Sequence, residues 1–268
     1  MQVNFRVRGD GDPAIVFVHG YGCALADWDA PVAQLSRHFT CVALDLPGHG
    51  ESPLPQQPTL QALADAVNAV RASIGGRKVV LVGHSLGTRV INDAYLQQPE
   101  GVAGLVFVDG RYYEGQPDEV VARMASFIDR AGFAGFIAQA FQGMFTERSD
   151  PALRDRITTR VLQLDPVFGR AILLESVLWD ASRARQRIAA ISVPLLLLQS
   201  SDIDAGRRLI SMREGARNRY MDVVAELVPQ ADLKVVPGVG HFAALEAPER
   251  VSREIQAFVE RLRPSLRH

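Results

Sequence analysis

The sequence predicts an α/β fold built on a mostly parallel, doubly wound sheet. Three observations carry this expectation: short β-branched apolar runs that read as strands buried on both faces, helical periodicity between them, and Gly- or Pro-rich turns where one gives way to the next. The 268-residue length suggests one or two domains, and 47% apolar with 22% charged residues is ordinary for a soluble globular protein.

In chain order, Val3 to Arg8 reads as a strand, Gly9 to Pro13 as a turn and Ala14 to Val18 as a second strand, a spacing that fits a hairpin. His19-Gly20-Tyr21-Gly22 follows. Asp27 to Arg37 forms a short helix. Thr40 to Leu44 is another buried strand, ended by Asp45-Leu46-Pro47-Gly48-His49-Gly50-Glu51-Ser52, whose Pro and Gly enforce a tight reversal. Thr59 is an N-cap for a helix that turns Leu63, Ala66, Val67 and Val70 inward, and Gly75-Gly76 closes it.

Lys78 to Pro99 is the stretch the rest serves. Val79 to Val82 is a strand, Gly83-His84-Ser85-Leu86-Gly87 a sharp turn, and Leu86, Val90 and Ala94 recur on one face of a helix that Pro99 stops. This is G-x-S-x-G in a strand-to-helix setting, where a serine hydroxyl is lifted above a sheet. Ordinary Gly-rich turns also carry the bare motif; the matched flanks favour a nucleophile. The glycines on either side let strand and helix pass, and the Leu86 amide, at the helix start, points toward any oxyanion formed beside the hydroxyl.

Val102 to Val108 is a further strand, ending at Asp109-Gly110, and then the rhythm breaks. From Arg111 to about Ile191 no strand is expected. Helices begin at Pro117, after Ser149-Asp150 with Pro151, and after Asp165 with Pro166. A helical block between strands must leave the sheet and return, so it is expected as a cap, residues 111–191, over a core of residues 1–110 and 192–268. Phe127, Phe133, Phe136, Phe141, Phe145 and Phe168 give it half of the chain's 12 phenylalanines, joined by Met144 and Trp179. That apolar face suits both covering the core and lining a pocket. The sheet resumes at Val193 to Gln199, followed by Ser200-Ser201-Asp202-Ile203-Asp204. A helix at Tyr220 to Leu227, a strand at Leu233 to Val236 and the loop Gly238-Val239-Gly240-His241-Phe242 come next. The last helix, Pro248 to Leu262, sets Val251, Ile255 and Phe258 on one face, and Arg267 and His268 read as frayed.

With H-G-x-G at His19, D-L-P-G-H-G-E-S at Asp45, G-H-S-L-G at Gly83 and P-G-V-G-H-F at Pro237, the chain resembles the α/β-hydrolase superfamily from end to end. The resemblance implies a Ser-acid-His triad, an apolar pocket beneath a helical cap inserted after the sixth strand, and no cofactor. Ser85 needs a base, since an unassisted hydroxyl is scarcely ionised near neutrality, and His241 in its Gly-rich loop is the candidate. His19 is expected to brace its loop, and His84 to point away from the nucleophile. The resemblance also makes the Tyr21 amide, after His-Gly, the second oxyanion donor beside Leu86.

The acid has three candidates. Relatives often supply it after the strand at Val193 to Gln199, in a pattern like G-x-x-D; here the glycine is missing and the position falls on Ile203, between Asp202 and Asp204. Other relatives take it from the end of the preceding strand, where Asp109 stands. Asp109 is favoured, against a role in satisfying turn amides before Gly110.

Together these features point to a serine hydrolase acting on a small apolar ester or lactone. Thioester or C–C bond hydrolysis, a cofactor-free oxygenase and a hydrolase-derived ligand receptor use the same frame; a dehalogenase would need a carboxylate where Ser85 stands. Net charge −1 and a pI near 6.6 leave no basic footprint for nucleic acid. No apolar run is long enough to span a bilayer and the first residues lack a signal-peptide core, so a cytoplasmic location is expected, with no membrane partner. The two cysteines, Cys23 and Cys41, are too few for a disulfide framework or a zinc site. The oligomeric state is not legible.

Overall fold

The first half of the chain lays down most of the sheet. It comprises β1 (Phe5–Arg8), β2 (Ala14–Val18), a 3-10 turn (Leu25–Trp28), α1 (Asp29–Leu35), β3 (Thr40–Leu44), α2 (Leu60–Ser73), β4 (Val79–His84), α3 (Leu86–Gln97) and β5 (Val102–Val108). Five helices follow: α4 (Pro117–Ala131), α5 (Phe133–Gln142), α6 (Pro151–Val161), α7 (Pro166–Ser182) and α8 (Ala184–Ala189). The chain then returns through β6 (Leu195–Gln199), β7 (Ser201–Ile203), β8 (Leu209–Ser211), α9 (Arg219–Leu227), β9 (Asp232–Val235), α10 (Ala243–Glu246) and α11 (Pro248–Leu262). The structure is a computed structural model that describes residues 2–204 and 208–263. The expectation for Arg267 and His268 therefore lies outside the described residues.

Seven strands form one sheet in the order β1-β3-β2-β4-β5-β6-β9. All of its neighbours run parallel except β1, which lies antiparallel on β3. The expected hairpin between the first two strands is not formed. Both edges of β2 are taken, by β3 on one side and β4 on the other, so β1 is left to cap the free edge of β3. Its outer residues, Arg6 to Arg8, are exposed, and charge there blunts an open edge. Because only one strand precedes β2, the helical insertion follows the fifth described strand, not the sixth. A separate two-stranded ribbon, β7-β8, was not expected from the sequence.

Alternation along each central strand divides the core in two. Ala14, Val16 and Val18 of β2, Val79 and Leu81 of β4 and Leu105 and Phe107 of β5 face α2, α3 and α9. Ile15 and Phe17, Val80 and Val82, and Val106 and Val108 face α1 and α11 on the other side. A period of two with both sets apolar is what a strand sandwiched between helix layers requires. Each fully buried Leu, Val or Phe contributes about 1.5–3 kcal/mol relative to exposure. Helix starts follow the local signals: the Thr59 side chain accepts from the Ala62 amide, Asp150 from Ala152, Asp165 from Phe168 and Asn218 from Met221, while Pro opens α4, α6, α7 and α11.

A third apolar cluster, Cys23, Ile137, Phe141, Phe145, Ile157, Val161 and Phe242, joins the inserted helices to the carboxyl ends of the strands. The phenylalanines of the insertion divide accordingly. Phe141, Phe145 and Phe168 are buried, Phe136 lines a chamber, and Phe127 stays on the surface at 39% exposure. Trp179 is buried and its Nε1 donates to the Asp93 carboxylate, which settles its polar end.

Candidate active site

Ser85 stands between β4 and α3 with φ 53° and ψ −112°, a left-handed backbone that serine adopts only under constraint. The constraint is steric. A Cβ on Gly83 would meet the Gly87 carbonyl oxygen at 2.4 Å, and one on Gly87 would meet the Val18 carbonyl oxygen at 2.4 Å, so strand and helix cross at backbone contact. Leu86 is the first residue of α3, where an amide has no partner inside the helix. The loop carrying Tyr21 runs against this turn: a Cβ on Gly20 would lie 2.9 Å from His84 Nδ1 and 3.2 Å from Ser85 Cβ.

Ser85 Oγ and His241 Nε2 are 2.9 Å apart across 156 residues of sequence, and His241 Nδ1 is 2.6 Å from Asp109 Oδ2. The three side chains form one hydrogen-bond chain at the ends of β4, β5 and the loop after β9. Asp109 shares with Ser85 a positive φ, 45°, and the two are the only such non-glycine residues among those described. Neither Asp202 nor Asp204 reaches the histidine. Asp202 accepts from the Ile203 amide, and Asp204 from the Arg208 amide, beside the Arg208 guanidinium.

The segment after β6, where the sequence also offers an acid, instead supplies donors. The Ser200 and Ser201 amides reach Asp109 Oδ1 at 2.8 and 2.9 Å, and Ser201 Oγ donates to Oδ2 at 2.5 Å. Burial alone would raise the Asp109 pKa; the bonds from His241, Ser201 and Ser200 outweigh it and hold the carboxyl below its ordinary value of 3.8. His241 is pushed below 6.5, first by burial and then by the charge of Arg111, with Asp109 working against both. At neutral pH the pair is therefore an ionised carboxylate and a neutral imidazole, whose Nδ1–H donates to Asp109 and whose Nε2 accepts a hydrogen bond from the Ser85 hydroxyl.

The His241 loop is fixed from four sides. Its amide donates to the Met144 carbonyl of the inserted segment, Ser200 Oγ donates to the Gly240 carbonyl, Ser211 Oγ to the Val239 carbonyl, and His84 Nε2 to the His241 carbonyl. His84, expected to be directed away from the nucleophile, makes no side-chain hydrogen bond to Ser85 among the described residues and braces the histidine loop through that carbonyl. His19 behaves as expected: its Nδ1 donates to the Gly20 carbonyl and its Nε2 accepts from the Leu46 amide, tying the Tyr21 loop to the Asp45 turn. The partners of Asp109 and the role of His84 left no local signal, because both depend on loops brought together only by the sheet.

Above the serine lies a chamber of about 100 Å³, smaller than the roughly 150 Å³ apolar cavity that holds benzene. Gly20, Tyr21, Ser85, Leu86 and His241 form its floor, and Met124, Phe136, Ile137, Phe141, Leu173 and Val177 of the inserted helices its walls. Among the described residues, no group of three or more His, Cys, Asp or Glu is placed to hold a metal ion. No described helix is long and apolar enough to cross a membrane.

Residues 15–254 match the family model described as alpha/beta hydrolase family, and the chain belongs to that family. Over 96% of its length it is 26% identical to the dihydrolipoyllysine-residue acetyltransferase component of the acetoin cleaving system of Pseudomonas putida. It is 25% identical, over 96% of its length and 98% of the relative's, to the pimeloyl-[acyl-carrier protein] methyl ester esterase of Pectobacterium carotovorum. Among solved structures, a thermophilic esterase from Thermogutta terrifontis superposes with a TM-score of 0.77 at 27% identity, covering 97% of this chain and 93% of that one. The chain spans 66% of the length of the Pseudomonas putida protein, and 30% of a Mycobacterium bovis protein that it matches over 105 residues.

Proposed function

We propose that the protein is a serine hydrolase that cleaves a small apolar carboxylic ester or lactone through an acyl-enzyme on Ser85. The observation that carries this reading is the unbroken chain from Ser85 Oγ through His241 to Asp109, opening into an apolar chamber. Ser85 Oγ attacks the carbonyl carbon while His241 Nε2 takes its proton, and Asp109 stabilises the imidazolium that results. The oxyanion accepts hydrogen bonds from the Leu86 and Tyr21 amides. His241 then protonates the leaving alcohol, and water repeats the cycle on the acyl-serine, which returns the free acid.

Residues 111–191 act as the cap in this reading, excluding water and shaping the acyl site. Likeness to proteins described as esterases supports an ester over an amide, and the small chamber supports a short acyl group. The two buried, unpaired cysteines fit a reducing, cytoplasmic setting.

A phosphonate probe is expected to label Ser85, and release of p-nitrophenol from short-chain esters to vanish in Ser85→Ala. Ester turnover that persists in that variant would refute the reading, and oxygen uptake that persists in it would point to an oxygenase instead. Slow turnover with strong stabilisation by ligand would point to a receptor.

A further inference from the structure

The chamber holds two arginines and no carboxylate among its lining residues. Their circumstances differ. Arg89 is consumed: it makes a two-pronged ion pair with Asp180, with Nε to Oδ1 at 2.8 Å and Nη2 to Oδ2 at 2.5 Å. Arg111, half-buried on the loop that leaves β5, donates no side-chain hydrogen bond and pairs with no carboxylate among the described residues. Arg111 borders the chamber and two outer clefts, one lined by Asp202, Asn218 and Arg219, the other by Glu147, Asp204 and Arg208, and among the described residues none of these carboxylates lies within ion-pair distance of it; Asp204 pairs with Arg208 instead.

We propose that Arg111 is an anion-recognition residue and that the substrate is an ester carrying a free carboxylate, such as the monoester of a short dicarboxylic acid. This rests on the hydrolase reading above. A guanidinium left without a counter-ion beside an apolar chamber is complemented by a carboxylate, which it grips through two parallel N–H donors. The Met, Phe, Leu and Val walls fit the methylene body between carboxylate and ester. Without such an anion, the Arg111 charge bears on His241, whose protonated form the reaction must build; a bound carboxylate cancels that charge.

The test is equilibrium binding, which needs no turnover. Ser85→Ala protein is titrated calorimetrically at pH 7.5 with monomethyl succinate and with its uncharged isostere, methyl isocaproate. The ratio of the two affinities is expected to fall about tenfold or more on adding Arg111→Gln, and less on adding Arg111→Lys, which keeps the charge but not the two parallel donors. A ratio unmoved by Arg111→Gln, or no measurable binding of monomethyl succinate, overturns the inference. Should Arg111→Gln fail to fold, the Ser85→Ala protein alone decides: monoester affinity must weaken between low and high salt while that of the neutral ester does not, and equal responses overturn it. Failure of the hydrolase reading is distinct, since it shows as absence of turnover of both esters by the unsubstituted protein whatever the affinities are.

Discussion

At Asp109 a single carboxylate collects four donors: His241 Nδ1, the Ser200 and Ser201 amides and Ser201 Oγ. Asp109→Asn replaces an acceptor-only group with one that must present an N–H somewhere in this cage, and it favours the wrong imidazole tautomer. A loss on the order of 10⁴ in kcat is expected. Asp202→Asn and Asp204→Asn, whose carboxylates serve their own turn, should remain near wild type; a large loss in either would reassign the acid. The same residues set the pH response. His241 must be neutral to accept the serine proton and its pKa is depressed, so kcat/KM should hold as pH falls to 6.5 and decline only below it. A midpoint at or above 6.5 would mean that burial and Arg111 do not govern the base.

At the scale of elements, two arginine–carboxylate pairs tie the inserted helices to the segments around Ser85 and Tyr21. Arg89 of α3 reaches Asp180 of α7, and also the Arg111 carbonyl at 3.1 Å and the Ser85 carbonyl at 3.3 Å. Arg160 of α6 pairs with Asp27 and donates to the Gly22 carbonyl at 3.2 Å, in the loop of Tyr21. Asp180→Asn would leave the Arg89 charge unpaired where its side chain is only 6% exposed, at a cost of about 3–5 kcal/mol in unfolding free energy. Asp27→Asn should cost less, because Arg160 keeps 24% of its side chain in water. Equal costs in urea unfolding would contradict this ranking. These ties also mark the boundary of what the sequence could disclose. The bounds of α11 were readable from Pro248 and an apolar stripe, the start of α4 from its proline, and the starts of α6 and α7 from a capping aspartate before a proline, because these are contacts between near neighbours. Helix α5, which starts after Gly132 with no capping side chain, gave no such signal. Nor did the partner of β1, which is decided by which strand edges other strands leave open. Ser85 and His241 stood out as candidates by their flanking glycines; that Asp109, and not Asp202 or Asp204, lies beside the histidine depends on distances through the sheet.

For the molecule as a whole, the buried histidines predict how it responds to acid. Burial pushes His19 down to about 4, His49 to about 3 and His84 to about 4. Above pH 6.5 each is neutral whether folded or unfolded, and contributes no pH dependence. Below it the unfolded chain gains protons that the folded one refuses, so stability falls by about 1.4 kcal/mol per pH unit for each histidine until the folded form titrates. Raised carboxylates such as Glu246 act in the opposite sense, which makes the total slope a poor test of any one group. His49 isolates the effect. Its ring lies 5.1 Å from His19, 5.5 Å from Phe168 and 6.1 Å from Tyr21, its Nε2 is buried without a partner and its Nδ1 makes one bond, to the Pro47 carbonyl at 3.2 Å, so Phe in its place loses a single hydrogen bond, a cost shared by both pH values. Urea unfolding at pH 7.5 and pH 5 should therefore show a smaller acid penalty in His49→Phe than in the parent, by ~2 kcal/mol, the value of 1.5 pH units below 6.5. An identical penalty in the two proteins would mean that His49 takes up its proton in the folded state as readily as in the unfolded one, and that the aromatic packing around it does not exclude charge.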